Sequence, residues 1–336
     1  MKMRSGFGSF FCLFAVSLFF PTLAQPQEKP IRLRVAWTAL DIVQAPIWMA
    51  HEGGLYRKYG LDVELPFIGA TSTALQALAA GEVHLTAAAA ETVMRGNLRG
   101  APFVMIVGAL KKFPFSFMTQ PDITDRRQLQ GKRIGVTRFG SLTHTAIQYQ
   151  LRQWGIKEVS IIQAGGVLEA LAAMKAKQLD GMLFPSPVNT MAKRAGFYDL
   201  FNFMKEGPDF LTLSVATTKP FLAQNEEAVR RFVKAYAEAT FLAKNDKERT
   251  LRAAPKYTRV TDREALEDAY EQKIPYLPSV PNITDGEIRQ ILSVLAETEA
   301  SARQANPTPM YDTRYVRELD ESGFIRSLGR KIKTGM

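Results

Sequence analysis

The sequence predicts an α/β protein of two similar lobes, and three observations predict it. From Ile31 onward, short apolar runs alternate with helix-period segments, the pattern of α/β units on a mostly parallel sheet. The segment Leu75-Gln76-Ala77-Leu78-Ala79-Ala80 recurs as Leu168-Glu169-Ala170-Leu171-Ala172-Ala173, each time followed by a polar turn and a strand. That repeat is weak, because alanine-leucine helices are common, but its placement fits one design used twice. Beyond Thr218-Lys219-Pro220, every remaining element reads as helix.

Taken in order, the first strand is expected at Ile31 to Ala36, with a helix carrying Ile47, Trp48 and Ala50 after it and a turn over Leu55 to Tyr59. A second strand follows over Asp62 to Ile68. Thr71-Ser72-Thr73 are hydroxyl residues suited to capping the next helix, whose apolar face is Leu75, Leu78 and Ala79. Strands at Val83 to Thr86 and Phe103 to Val107 flank a short helix from Glu91 to Leu98. The second lobe reads as strand Arg133 to Thr137, helix Ser141 to Trp154, strand Val159 to Gln163, helix Val167 to Lys177, strand Met182 to Phe184 and helix Val188 to Ala195. Leu211 to Thr217 reads as a strand, with a crossing back to the first lobe placed after it. The lobes are thus expected at 31–118 plus 218–336, and at 119–217. Among the helices that follow, one starts at Asn225 and bears Val229, Phe232, Val233 and Tyr236, and others cover Asp262 to Gln272, Asp285 to Glu297 and Thr313 to Glu321.

The N-terminus has the layout of a secretory signal peptide over 1–24: Lys2 and Arg4, an apolar run from Phe7 to Phe20, and a small-residue site at Ala24. The run is short for a membrane span, which needs about 20 apolar residues, although a leader kept as an anchor would look similar. Cys12, the only cysteine, falls inside it, so the mature chain is expected to have no disulfide, thiolate nucleophile or cysteine metal site. Losing Lys2 and Arg4 lowers the formal charge from +10 to +8. The cations are spread, with pairs such as Lys111-Lys112 but no long basic run interleaved with aromatics, so nucleic acid is not expected as a partner. The surplus mildly favours an anionic ligand.

In open α/β sheets, ligands bind beyond the carboxyl ends of the strands. In the first lobe that rule selects Trp37 and Thr38, then Gly69, Thr71 and Ser72, then Ala88 and Glu91. In the second it selects Arg138, Gly140, Ser141, Thr143 and His144, then Phe184 and Ser186. Arg138 to His144 is the strongest segment, because glycine lets the backbone approach closely and a helix start offers free N–H groups to an anion. Ser141 as a plain cap and Gly140 as a plain turn would leave the same letters. Trp37 could supply a flat apolar wall or ordinary packing, and Glu91 a polar contact or a helix cap.

Catalytic signatures are absent from the sequence. His51, His84 and His144 lie on different elements with no pair at i and i+4, so no metal site is expected. There is no Gly-x-Ser-x-Gly elbow, no Walker loop and no Gly-x-Gly-x-x-Gly turn, and no cofactor is expected.

Several segments carry a family resemblance that covers the chain from about Ile31 to about Gly323. They are Tyr56-Arg57-Lys58-Tyr59-Gly60-Leu61-Asp62-Val63, Ala77-Leu78-Ala79-Ala80-Gly81-Glu82-Val83, Gly131-Lys132-Arg133-Ile134-Gly135-Val136 and Gly140 to His144 leading into Leu151 and Gly155-Ile156. Tyr311-Asp312 and Gly323-Phe324 look like the closing helix. The sequence resembles the periplasmic binding proteins of the nitrate, sulfonate, taurine and thiamine-pyrimidine-precursor importers. The resemblance implies a type II periplasmic-binding fold, two Rossmann-like lobes joined by a two-crossing hinge. It also implies a monomeric periplasmic receptor that closes on a small polar or anionic solute and serves an ABC permease and ATPase of the inner membrane. Leu142 stands where sulfonate binders commonly have a second small hydroxyl residue, and Ala87 to Ala90 is blander than their glycine-rich loop, which suggests a more apolar ligand body. Two alternatives share the fold: a module presenting its solute to a membrane sensor, and an enzyme like those making the thiamine pyrimidine, which use a cysteine-rich motif.

Overall fold

The computed structural model describes residues 29–333. The expected leader, 1–24 with Cys12, lies outside the described residues.

Among the described residues, ten strands form two five-stranded sheets. The first holds β1 (Ile31–Ala36), β2 (Leu61–Glu64), β3 (Leu85–Ala89), β4 (Phe103–Leu110) and β10 (Leu213–Thr218), in the order β2-β1-β3-β10-β4. The second holds β5 (Ser116–Thr119), β6 (Arg133–Val136), β7 (Ser160–Gln163), β8 (Gly181–Phe184) and β9 (Tyr198–Asn202), in the order β7-β6-β8-β5-β9. Four strands of each sheet run parallel, and in each the strand entering from the other sheet lies antiparallel in fourth place. The design is therefore used twice. The helices Thr71–Ala79 and Val167–Lys175, which carry the repeated segment, both precede the central strand of their sheet. Ala77 with Leu78 and Ala170 with Leu171 are buried alike, but Leu168, the counterpart of buried Leu75, is 57% exposed.

Strand β4 is buried on both faces, as its uninterrupted run Phe-Val-Met-Ile-Val-Gly-Ala-Leu requires. Strand β2 stops at Glu64 rather than continuing to Ile68, because Pro66 has no N–H to give the ladder. Only an isolated bridge, Trp37 to Phe67, persists beyond it.

The sheet pairings move the expected crossings. Ser116–Thr119 hydrogen-bonds to β8 and β9, so the chain leaves the first sheet between Leu110 and Ser116, not after 118. Leu213–Thr218 pairs with β3 and β4, so the return precedes this strand instead of following it. The two crossings run side by side: Phe203 N–H donates to Phe115 O at 3.0 Å, and Phe210 N–H to Lys111 O at 2.9 Å. Phe113 stacks on Phe210 with ring centroids 4.6 Å apart and meets Phe203 edge-on at 5.8 Å.

Helices after β10 complete the first lobe. Glu226–Asn245 buries Val229, Phe232, Val233 and Tyr236 against Trp48 and its neighbours on the helix Ala45–Glu52. Asp246 caps the helix Lys247–Thr258 by accepting from Arg249 N–H at 2.9 Å, and Pro255 near its end disguises it in the sequence. Helix Arg263–Lys273 packs Leu266, Ala269 and Tyr270 into the same core. No helix among the described residues is long and apolar enough to cross a membrane.

Candidate functional site

At the end of β1, Trp37 rests its ring 4.5 Å from that of Phe67 and edge-on to Tyr257. The buried Thr38 hydroxyl donates to Ala87 O at 3.1 Å and accepts from Gln44 Nε2, while Thr38 N–H donates to Gln44 Oε1 at 3.0 Å. Ala88 is fully buried, its carbonyl accepting from the Ser214 hydroxyl. These residues fasten the loop after β1 to β3.

The expectation that hydroxyls cap the helix Thr71–Ala79 is corrected. Ala70 occupies the cap position, so Thr71, Ser72 and Thr73 fill the first turn and no side chain caps it. Thr71 Oγ1 accepts from Ala89 N–H at 3.4 Å, while exposed Ser72 lines an outer groove with Thr92, Arg95 and Arg99. A side chain at Gly69 would press on the Phe67 ring at 3.3 Å.

Glu91 is tied twice. Its Oε1 accepts from Arg95 at 2.7 Å, and its Oε2 accepts from the Thr145 hydroxyl at 3.3 Å, which links the first-sheet helix Ala90–Leu98 to the second-sheet helix Leu142–Trp154.

In the loop after β6, three hydroxyls form a triangle: Thr137 to Ser141 at 3.0 Å, Thr137 to Thr143 at 3.0 Å and Ser141 to Thr143 at 2.9 Å. Ser141 is the N-cap, its oxygen accepting from His144 N–H at 3.4 Å. Gly140, at φ 75°, donates its N–H to His144 Nδ1 at 3.1 Å, which places the imidazole proton of the neutral ring on Nε2. Burial pushes the His144 pKa below its ordinary value, against the raising effect of Glu297 and Glu91. Among the described residues, the Leu142 and Thr143 N–H groups at the start of this helix have no hydrogen-bond partner. Arg138 and Phe139 are exposed beside it.

Phe184 is fully buried among Met118, Met182 and Ala192, inside the second lobe's core. Ser186 is nearly buried, its hydroxyl donating to Asp268 Oδ2 at 3.3 Å and its carbonyl accepting from Lys273 Nζ at 3.3 Å. Lys273 also pairs with Asp41 at 2.8 Å. Leu40, Asp41, Ser186, Pro187, Val260 and Lys273 line a crevice at this junction.

The carboxyl ends of β1, β3, β6 and β8 thus meet, joined on one flank by Glu91 and Thr145 and on the other by Lys273. Sequence reasoning missed Thr137, Asp41, Asp268 and Lys273. Thr137 was legible as one more hydroxyl beside Ser141, whereas nothing marks Lys273 as buried.

Comparison with known proteins agrees with this architecture. The NMT1/THI5-like family model matches residues 42–250. YtlA of Bacillus subtilis is 23% identical over 255 residues, 70% of this chain and 73% of that one. The riboflavin-binding protein RibY of Chloroflexus aurantiacus is 24% identical over 226 residues, 63% of this chain and 62% of its own, so the chain spans a little under two thirds of that relative. Among solved structures, the periplasmic aliphatic sulphonate binding protein SsuA of Escherichia coli superposes with a TM-score of 0.70 at 15% identity, covering 84% of this chain and 99% of that one. With a matching model that takes in nine of the ten strands among the described residues, from the turn after β1 through β10, this chain belongs to the NMT1/THI5-like family.

Proposed function

We propose that the protein is the solute-binding receptor of an ABC importer, working in the periplasm after export and passing its solute to a permease and ATPase in the inner membrane. The observation that carries this is the meeting of the strand ends of two like sheets, the place where open α/β sheets take ligands. One lobe is 31–110 with 213–333, and the other is 116–202. Paired crossings between them allow a hinge closure of the usual kind. The solute is a small polar or anionic organic molecule held between Gly69 to Thr71 and Arg138 to His144. The relatives named for riboflavin and sulphonate binding support the receptor role and leave the solute open. No residue is assigned a catalytic role.

The test is a thermal-shift and calorimetric screen of the purified protein against sulfonates, carboxylates, pyrimidines and aromatic acids, with mass spectrometry of any solute released on denaturation. A raised melting temperature with one class is expected. No shift across the panel, together with no released solute, would sink the proposal.

A further inference from the structure

The polar groups selected by their strand-end position are largely satisfied by one another. Thr38 bonds to Gln44 and Ala87, the hydroxyls of Thr137, Ser141 and Thr143 close on themselves, and Glu91 is held by Arg95. A guanidinium that sequence position did not select remains free. Arg259 follows the helix Lys247–Thr258, between Thr258 and Val260, which line the crevice with Ser186. It is exposed and has no carboxylate partner among the described residues, while Arg263 nearby is tied to Glu248 and Glu267.

Its guanidinium carbon lies 5.4 Å from the centroid of the Phe67 ring, and Phe67 is itself in contact with Trp37 and beside Gly69. The aromatic face holds the cation electrostatically and leaves its planar fork of donors open. The backbone of Arg259 is left-handed, φ 59° and ψ 15°, where its N–H donates to Pro255 O at 3.1 Å and closes the helix. Glycine fills such a position without strain, and an L side chain pays a steric cost there. A strained cation without a carboxylate partner among the described residues, seated on an aromatic ring between the crevice residues Thr258 and Val260, is the kind of outlier that points to a function.

We propose that Arg259 sets the charge specificity of the solute: its guanidinium, seated on Phe67, takes the carboxylate or sulfonate of an organic anion whose apolar body rests against the exposed rings of Phe67 and Phe139. This deepens the receptor function proposed above and rests on it. Phe67 is 36% exposed and Phe139, at the strand end of the opposite lobe, 59%. Arg138 is a second exposed guanidinium, but no ring holds it among the described residues.

The experiment is calorimetric titration of the full chain with benzenesulfonate, its neutral isostere benzenesulfonamide, and methanesulfonate, which lacks the apolar body. The wild type is expected to bind benzenesulfonate at least tenfold tighter than either. Arg259→Gly is expected to bring the sulfonate-to-sulfonamide ratio near one with an unchanged or higher melting temperature, so lost folding cannot explain lost binding. Arg259→Lys should fall between, and Arg252→Gln, which removes a charge two turns back on the same helix, should keep the ratio. A ratio near one in the wild type, or one that survives Arg259→Gly, overturns the inference and leaves the receptor standing. If none of the three binds, the solute released from denatured protein decides. A neutral solute overturns the inference alone, an organic anion that Arg259→Gly binds tenfold more weakly upholds it, and one bound equally overturns it. The absence of any solute, together with no thermal shift across the wider panel, overturns the receptor function as well.

Discussion

The ammonium of Lys273 donates to Asp41 Oδ2 at 2.8 Å although Lys273 is only 2% exposed, so one buried cation joins the last turn of a C-terminal helix to the loop after β1. The same Nζ reaches Ser186 O at 3.3 Å, adding the second lobe to the junction. Asp41 is oriented by accepting from Val43 N–H at 3.0 Å. Removing one partner of a buried pair leaves the other charge uncompensated, which is costlier than never having built the pair. Asp41 is partly open to solvent, so Lys273→Met is expected to destabilise the protein by about 2 kcal/mol, below the full buried-pair figure. Urea unfolding of Lys273→Met, Asp41→Asn and the double variant would test it. Additive single effects would mean the two groups are not coupled.

The hydroxyl triangle makes a different prediction for the other lobe. Ser141 both caps the helix Leu142–Trp154 and bonds to Thr137 and Thr143. Ser141→Ala should therefore cost about 1 kcal/mol, the usual worth of a cap, as well as solute affinity. Thr71 caps nothing and makes only a 3.4 Å contact with Ala89 N–H. Thr71→Ala should lower affinity with no change in melting temperature. Unchanged binding in both variants would mean that the solute sits elsewhere.

These contrasts show what the sequence could and could not disclose. The α/β alternation and the position of the Ser141 helix start are local patterns, carried by apolar period and a cap residue. Strand β5 escaped because Ser-Phe-Met-Thr is a four-residue segment flanked by Pro114 and a polar turn, and it becomes a strand only by pairing with β8 and β9. Lys273 at a helix end reads as a solvated cation completing the helix dipole, and only tertiary packing buries it. Arg259 stands where a helix-ending glycine would be the legible signal.

The paired crossings should depend on their aromatic packing. Phe113 is fully buried, stacked on Phe210 and edge-on to Phe203. Phe113→Ala opens a cavity between the lobes, and a loss of about 3 kcal/mol is expected. Phe113→Leu, which keeps most of the volume, should lose less than half of that. Equal effects of the two variants in denaturant unfolding would show that the site relaxes without a cavity.

The last prediction concerns pH. Burial is the leading cause that pushes both His84 and His144 below their ordinary value of 6.5, and each accepts a backbone N–H at Nδ1, from Arg34 and Gly140 respectively. For His84 the nearby Arg34 adds to the effect, whereas Glu297 and Glu91 oppose it for His144. A depressed pKa in the folded state means that the unfolded chain binds these protons first as pH falls. The contribution is complete above about pH 6.5, declines as acid is added through the lowered folded values, and is flat below them. Protonation at Nδ1 also ends its capacity to accept from Gly140, so the loop that shapes the solute site should loosen over the same window. Two-dimensional NMR titration of the imidazole signals should place both midpoints below 6.5, and His144→Gln should flatten the fall in stability between pH 7 and 5. A His144 midpoint above 6.5 would show that the carboxylates Glu91 and Glu297 prevail over burial.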